Sequence, residues 1–271
     1  MSLALIAGEG ALPGVLAARA EALGDAPLVC VMEGVAARVP ARFARRAFRL
    51  ERLGSFLAGL RAEGVERVCM AGAMRRPAVD AGLVDAENAA VVRRLVAAMG
   101  RGDDGTLREI VAIVEEAGLR VVGPQEIAPE LLPPEGLLAG VPGPALEAAA
   151  RVGARVVAEM GAADSGQACV VTPGGEVARE GPDGTDAMLA RVRAPGAVLF
   201  KAPKPGQERR VDLPVIGPST VEAAATAGLS AIVIEAGGVM VLDLGEVTQR
   251  ARAAGIALWV RPAGPVAEEF P

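Results

Sequence analysis

Short apolar blocks alternate with longer stretches of helical spacing through the first half of the chain. Leu3–Ala7, Leu28–Met32 and Val68–Ala71 are uninterrupted apolar runs bounded by glycine or proline, whereas Ala11–Leu23 and Gly54–Glu63 carry apolar residues at helical intervals. Strands without polar alternation predict a parallel sheet covered by helices on both faces, in a βαβ rhythm. After Met99, the stretch RGDDGTLREIVAIVEEAG predicts a turn, an acidic entry and a helix, with a strand following over Leu119–Val122.

From Gly123 to Pro144 proline and glycine accumulate and periodicity disappears, which predicts an inter-domain connector. The expected domains are therefore 1–132 and 145–271, with 133–144 as linker. The second half predicts a helix over Ala145–Met160 and another over Gly245–Ala254. The segments ACVVTPGGEVARE and AIVIEAGGVMVLD each place Gly-Gly between apolar runs and both read as hairpins. A helix is expected to begin at Ser219, with Glu222 completing a capping box. The fold class is α/β, with a mixed sheet in the second domain.

Composition narrows the function. The 271 residues are 52% apolar and 23% charged, enough for two folded domains and unlike a disordered chain. The longest uncharged run, Ala223–Ile234, is shorter than the roughly 18 apolar residues of a spanning helix. The absence of histidine excludes Ser-His-Asp and Cys-His nucleophiles and histidine zinc sites. A net charge of −5 argues against a nucleic-acid partner. Cys30, Cys69 and Cys169 sit in separate apolar runs and read as buried thiols of a reducing compartment. The opening MSLALIAGEG lacks a basic leader region and reads as a first strand, so the expected location is the cytoplasm.

Four segments could carry chemistry. Ile6–Pro13 places a glycine turn between strand and helix, where backbone N–H groups receive phosphate; a purely structural turn fits equally. The third glycine of a dinucleotide fingerprint is missing, and Glu33 alone could fill the ribose-binding role. Gly102-Asp103-Asp104-Gly105 sets two carboxylates before a helix, for capping or for a metal or sugar hydroxyl. Asp183-Gly184-Thr185-Asp186 repeats that arrangement. The densest constellation, Lys201 to Pro214, sets Lys201, Lys204, Arg209 and Arg210 with Gln207, Glu208 and Asp212 on a proline-stiffened loop suited to a polyanion.

These motifs carry a resemblance. LIAGEGALP near the start, AGAMRRP at 71–77, GDDGTLREIV at 102–111, GTDAML at 184–189 and KAPKPGQERRVDLPVIGPSTVEAAATAGLSAIVIEAG at 201–237 resemble the LpxI family, in order along the whole chain. The last two are the specific ones. One departure is Asp183, where the family pattern has glutamate. The resemblance implies an N-terminal Rossmann-like domain and a smaller C-terminal α/β domain, with ligand between them. It implies hydrolysis of UDP-2,3-diacylglucosamine to 2,3-diacylglucosamine 1-phosphate (lipid X) and UMP, in lipid A biosynthesis of a Gram-negative bacterium.

With that resemblance the expected cofactor is Mg²⁺ or Mn²⁺, held by Asp212 and Asp186, with no zinc and no nicotinamide. Lys201, Lys204 and Arg210 are expected to neutralise phosphate, and in-line attack of water is expected. The expected substrate contacts are Gly8, Gly10, Ala11, Gly72, Gly102, Asp103, Thr185 and Gln207. A diacylated substrate implies peripheral contact with the inner leaflet of the inner membrane, and a homodimer stays open. An apolar trough is expected near Leu131–Leu146, although linker packing explains those leucines equally well. The rival readings are a non-catalytic sugar-nucleotide or lipid-binding protein and a nicotinamide-dependent oxidoreductase.

Overall fold

A computed structural model describes residues 2–74, 78–100, 102–141 and 144–263. Residues 75–77 of the AGAMRRP motif and Arg101 lie outside the described residues. The chain divides into two units. The first comprises Met1–Pro129 with Glu208–Asp212, and the second comprises Glu130–Gln207 with Leu213–Pro271.

In the first unit the elements are β1 (Leu3–Ala7), α1 (Leu12–Ala22), β2 (Leu28–Met32), β3 (Arg45–Phe48), α2 (Leu53–Ala62), β4 (Arg67–Ala71), α3 (Ala89–Met99), α4 (Asp103–Glu116), β5 (Arg120–Val122) and α5 (Pro124–Ile127). The strands form a parallel sheet in the order β3-β2-β1-β4-β5. Ala4, Ile6, Val68 and Met70 face a core closed by Leu57 of α2, Leu95 of α3 and Val114 of α4. On the other face α1 packs with α5. All five residues of β1 are buried, which is why its sequence shows no alternation.

The edge strand β3 escapes the pattern, because of Arg45-Arg46-Ala47-Phe48 only Phe48 is buried. Charged residues on an edge strand also discourage pairing with another chain.

The second unit continues with β6 (Gly136–Ala139), α6 (Pro144–Ala162), β7 (Ala168–Val171), β8 (Val177–Arg179), α7 (Gly184–Arg191), β9 (Val198–Lys201), β10 (Val215–Ile216), α8 (Pro218–Ala227), β11 (Ala231–Glu235), β12 (Met240–Val241), α9 (Leu244–Ala253) and β13 (Ala257–Arg261). Six strands form a mixed sheet in the order β6-β13-β11-β9-β7-β8. Its central pairs, β9 with β11 and β11 with β13, are parallel, and β6, β7 and β8 join antiparallel. Phe200, Cys169 and Val233 face α6, whereas Leu199, Val170 and Ile232 face α7, α8 and α9.

Three expectations are corrected here. The stretch 133–144 is more than a linker, since Gly136–Ala139 pairs with β13 as an edge strand. Its Leu137 packs on the core, which a short glycine-flanked strand conceals in sequence. The second unit rests on a sheet of six strands and the first on one of five.

The first Gly-Gly segment is a hairpin, β7 with β8. The second is not: Ala236 N–H still bonds Arg261 beside β11, and the chain then leaves the sheet so that β12 pairs parallel with β10. A glycine pair permits a sharp turn but does not choose the strand that follows. The helix expected at Ser219 begins at Pro218 after Gly217, whose N–H donates to Thr220 Oγ1 at 3.2 Å. Glu222 instead accepts from Arg250 of α9.

Candidate functional site

In the first unit the glycine turn lies at the carboxyl end of β1, beside β4; α1, which follows β1, lies on one face of the sheet, and α2, α3 and α4 lie on the other. Open α/β sheets bind ligands at such ends. Here Glu9 and Ala73 exchange backbone bonds, Glu9 N–H to Ala73 C=O at 2.7 Å and Ala73 N–H to Glu9 C=O at 3.0 Å. Gly8 and Gly72 meet so closely that a Cβ on Gly8 would lie 2.6 Å from the Gly72 carbonyl oxygen. Packing alone therefore requires both glycines. Gly10 and Ala11 stay exposed before α1, where Pro13 occupies the first turn without needing its missing N–H. Glu33 is exposed and pairs with Arg49 at 2.6 Å.

Gly102 starts α4 with φ of 100°, a conformation that favours glycine, and Asp103 and Asp104 occupy the first helical turn. Neither aspartate is the capping residue. Both sit where the helix dipole favours negative charge, Asp103 exposed and Asp104 paired with Arg108 at 2.8 Å. Thr106 is buried and donates to the Gly102 carbonyl at 2.7 Å, tying the turn to the helix.

The Lys201–Pro214 constellation is divided by the fold. Lys201, Lys204 and Gln207 belong to the second unit, and Arg210 and Asp212 to the first. Arg210 donates to Glu208 through two nitrogens and to Glu115 of α4 at 2.6 Å. These partners hold the guanidinium strongly protonated and depress the Glu208 carboxyl below its ordinary value. Val211 packs on the first core, and the half-buried Asp212 donates its N–H to the Glu208 carbonyl at 3.1 Å.

Polar groups converge more tightly in the second unit. Lys201 ends β9 and is buried, facing the same side as Leu199. Its Nζ donates to Thr185 Oγ1 at 2.8 Å, and Thr185, in the first turn of α7, donates to Glu180. The other Glu180 oxygen accepts from Gln167 N–H at 2.7 Å. Lys204 pairs with Asp164 at 2.5 Å. Its N–H donates to Gln207 Oε1 at 2.7 Å, so the Pro205-Gly206 turn is clamped from both sides.

Glu180 and Asp164 are not among the site residues expected from sequence. Neither lies in a recognisable motif; the only sign at Glu180 was a carboxylate at the end of a strand ahead of Gly181-Pro182. Asp186 is exposed on α7, and Asp183 is 75% exposed with Arg191 at 3.9 Å, so the shortened carboxylate at 183 makes no contact with the buried cluster. Thus Lys201 and Thr185 are brought together, whereas Asp186 and Asp212 stand in different units.

Burial pushes the thiols of Cys30, Cys69 and Cys169 up to about 12, which keeps them protonated and unsuited to metal binding. No group of three or more acidic or cysteine side chains among the described residues converges to hold a metal. Leu131 and Leu146, expected along a trough, are buried. Leu146 also borders a groove of about 450 Å³ with Val141, Ala149 and Val152, at the amino-terminal ends of β9 and β11 and so away from Lys201. No helix among the described residues is long and apolar enough to cross a membrane.

Comparison with known proteins covers nearly the whole chain. The LpxI N-terminal domain matches residues 2–131 and the LpxI C-terminal domain matches residues 134–259. A relative from Caulobacter vibrioides, the UDP-2,3-diacylglucosamine pyrophosphatase LpxI, is 41% identical over 253 residues, spanning 89% of this chain and 90% of that protein.

Proposed function

The chain belongs to the LpxI family, and on that footing we propose that it hydrolyses UDP-2,3-diacylglucosamine to lipid X and UMP in lipid A biosynthesis. The observation that carries this reading is the 41% identity with a pyrophosphatase of that name across 89% of the chain.

A diphosphate repels an attacking water, so its charge must be screened before the P–O bond can break. In this reading Lys201 at the end of β9 and Lys204 on the clamped turn that follows supply fixed positive charge, and Arg210 adds a third cation. On the same reading Asp212 is the carboxylate that orients water or metal, with Asp186 as the other candidate.

The donors fit a hard divalent cation. Asp212 and Asp186 are carboxylates, the chain has no histidine, and the thiols stay protonated, a donor chemistry that suits Mg²⁺ or Mn²⁺ and not zinc. Asp212 or Asp186 would hold the ion together with substrate phosphate oxygens. When bound it would neutralise developing charge and acidify water. The two acyl chains of the substrate imply that the protein meets it at the membrane surface by peripheral contact.

Incubation of the purified protein with UDP-2,3-diacylglucosamine, with Mg²⁺ and with product analysis, tests the reading. UMP and lipid X in equal amounts are expected. Tight binding with intact substrate would assign a sugar-nucleotide binder instead.

A further inference from the structure

Glu180 is a carboxylate only 8% exposed, placed just after β8, and both of its oxygens are committed to donors. Gln167 N–H donates to one, and the Thr185 hydroxyl donates to the other. Thr185 has a single hydroxyl proton, so giving it to Glu180 leaves only lone pairs toward Lys201. The Lys201 ammonium then points one of its N–H bonds at that oxygen. The three side chains are 7–8% exposed.

Burying a lysine and a glutamate is expensive, and a core built only for stability would use apolar side chains. The arrangement has a specific output instead: an ammonium held in one orientation with its countercharge one hydroxyl away.

We propose that Glu180 is a positioning residue for the diphosphate hydrolysis, fixing the Lys201 ammonium through Thr185. This rests on the reading that Lys201 neutralises phosphate charge. A glutamine cannot replace Glu180, because its amide offers one acceptor oxygen where two donors must be met. With Glu180→Gln either Gln167 N–H loses its acceptor or Thr185 must turn its proton away, and Lys201 loses its fixed aim.

The experiment is a set of coupled substitutions in the full chain. Glu180→Gln, Thr185→Val, Lys201→Met and the double variant Glu180→Gln/Lys201→Met are compared for kcat, KM and melting temperature with UDP-2,3-diacylglucosamine. Misplacing a reacting group by about 1 Å costs roughly a hundredfold, so Glu180→Gln should lower kcat by about ten- to a hundredfold with KM little changed. Thr185→Val should behave likewise, and it leaves Glu180 in place should the first variant fold poorly. In the Lys201→Met background Glu180→Gln should lower kcat less than about twofold, the mark of residues acting as one unit.

An equal loss in that background would overturn the proposal, as would wild-type kcat in Glu180→Gln beside a slow Lys201→Met. A Lys201→Met protein at the wild-type rate would instead overturn the underlying role of Lys201.

Discussion

Gly153 and Phe200 meet with no room for a side chain between them: a Cβ on Gly153 would lie 2.4 Å from Phe200 Cβ. α6 thus lies directly on β9, and Phe200 and Lys201, consecutive on that strand, point to opposite faces. Gly153→Val must push the helix or the ring aside, and overpacking of this kind costs about 1–3 kcal/mol. The melting temperature should fall by roughly 5 °C. A variant melting at or above wild type would contradict the close approach.

Asp212 separates a chemical role from a structural one. If it orients water or metal, Asp212→Ala should lower kcat by roughly a hundredfold or more while substrate binding largely survives. If it only anchors its loop, stability and affinity should fall together with activity, and Asp212→Asn should keep much of the rate. Product formation at saturating substrate, with melting curves for both variants, distinguishes the outcomes. A folded Asp212→Ala enzyme of near-normal turnover would move the role to Asp186.

The Glu208 carboxyl is held below its ordinary value of 4.5, first by its hydrogen bond from Arg210. A depressed folded-state value means that this pair stabilises the protein fully above about pH 4.5 and that the contribution disappears as pH falls through the folded value. The stability gap between wild type and Glu208→Gln should therefore be constant from pH 8 to about 5 and shrink below about 4. Urea unfolding at pH 7 and at pH 3.5 measures it; a gap that widened in acid would refute the assignment.

Activity should require Mg²⁺ or Mn²⁺, because phosphates and carboxylates cannot share a site without a cation between them. Excess chelator is expected to abolish product formation, and added Mg²⁺ to restore it. Undiminished turnover in chelator would leave the cationic side chains alone to screen the diphosphate.

The three cysteines are free, buried and protonated at neutral pH. Neutral alkylating reagent should leave the native protein unlabelled and modify all three after denaturation. Mass spectrometry reads the count, and rapid native labelling of Cys69 would mean that the parallel sheet of the first unit opens readily.

Local pattern determined much of this protein. The residues of β1, β2 and β4 are apolar without alternation because both faces of their sheet are covered, and that signature needs no partner to be seen. The helices at Leu12, Leu53 and Asp103 follow likewise from spacing within a few turns. Motif order was enough to identify the family, because motifs are contiguous.

Tertiary structure alone decided the rest. It turned Gly136–Ala139 from connector into edge strand, gave β12 to β10 instead of β11, and assigned Glu208–Asp212 to the first unit. It also placed Glu180 under Thr185 and Lys201, and Asp164 against Lys204. Strand pairings and polar contacts of this kind join residues separated along the chain, the polar contacts by five to forty positions. Their energies come from desolvation and packing that exist only once the sheet has closed, so nothing in the neighbouring sequence records them.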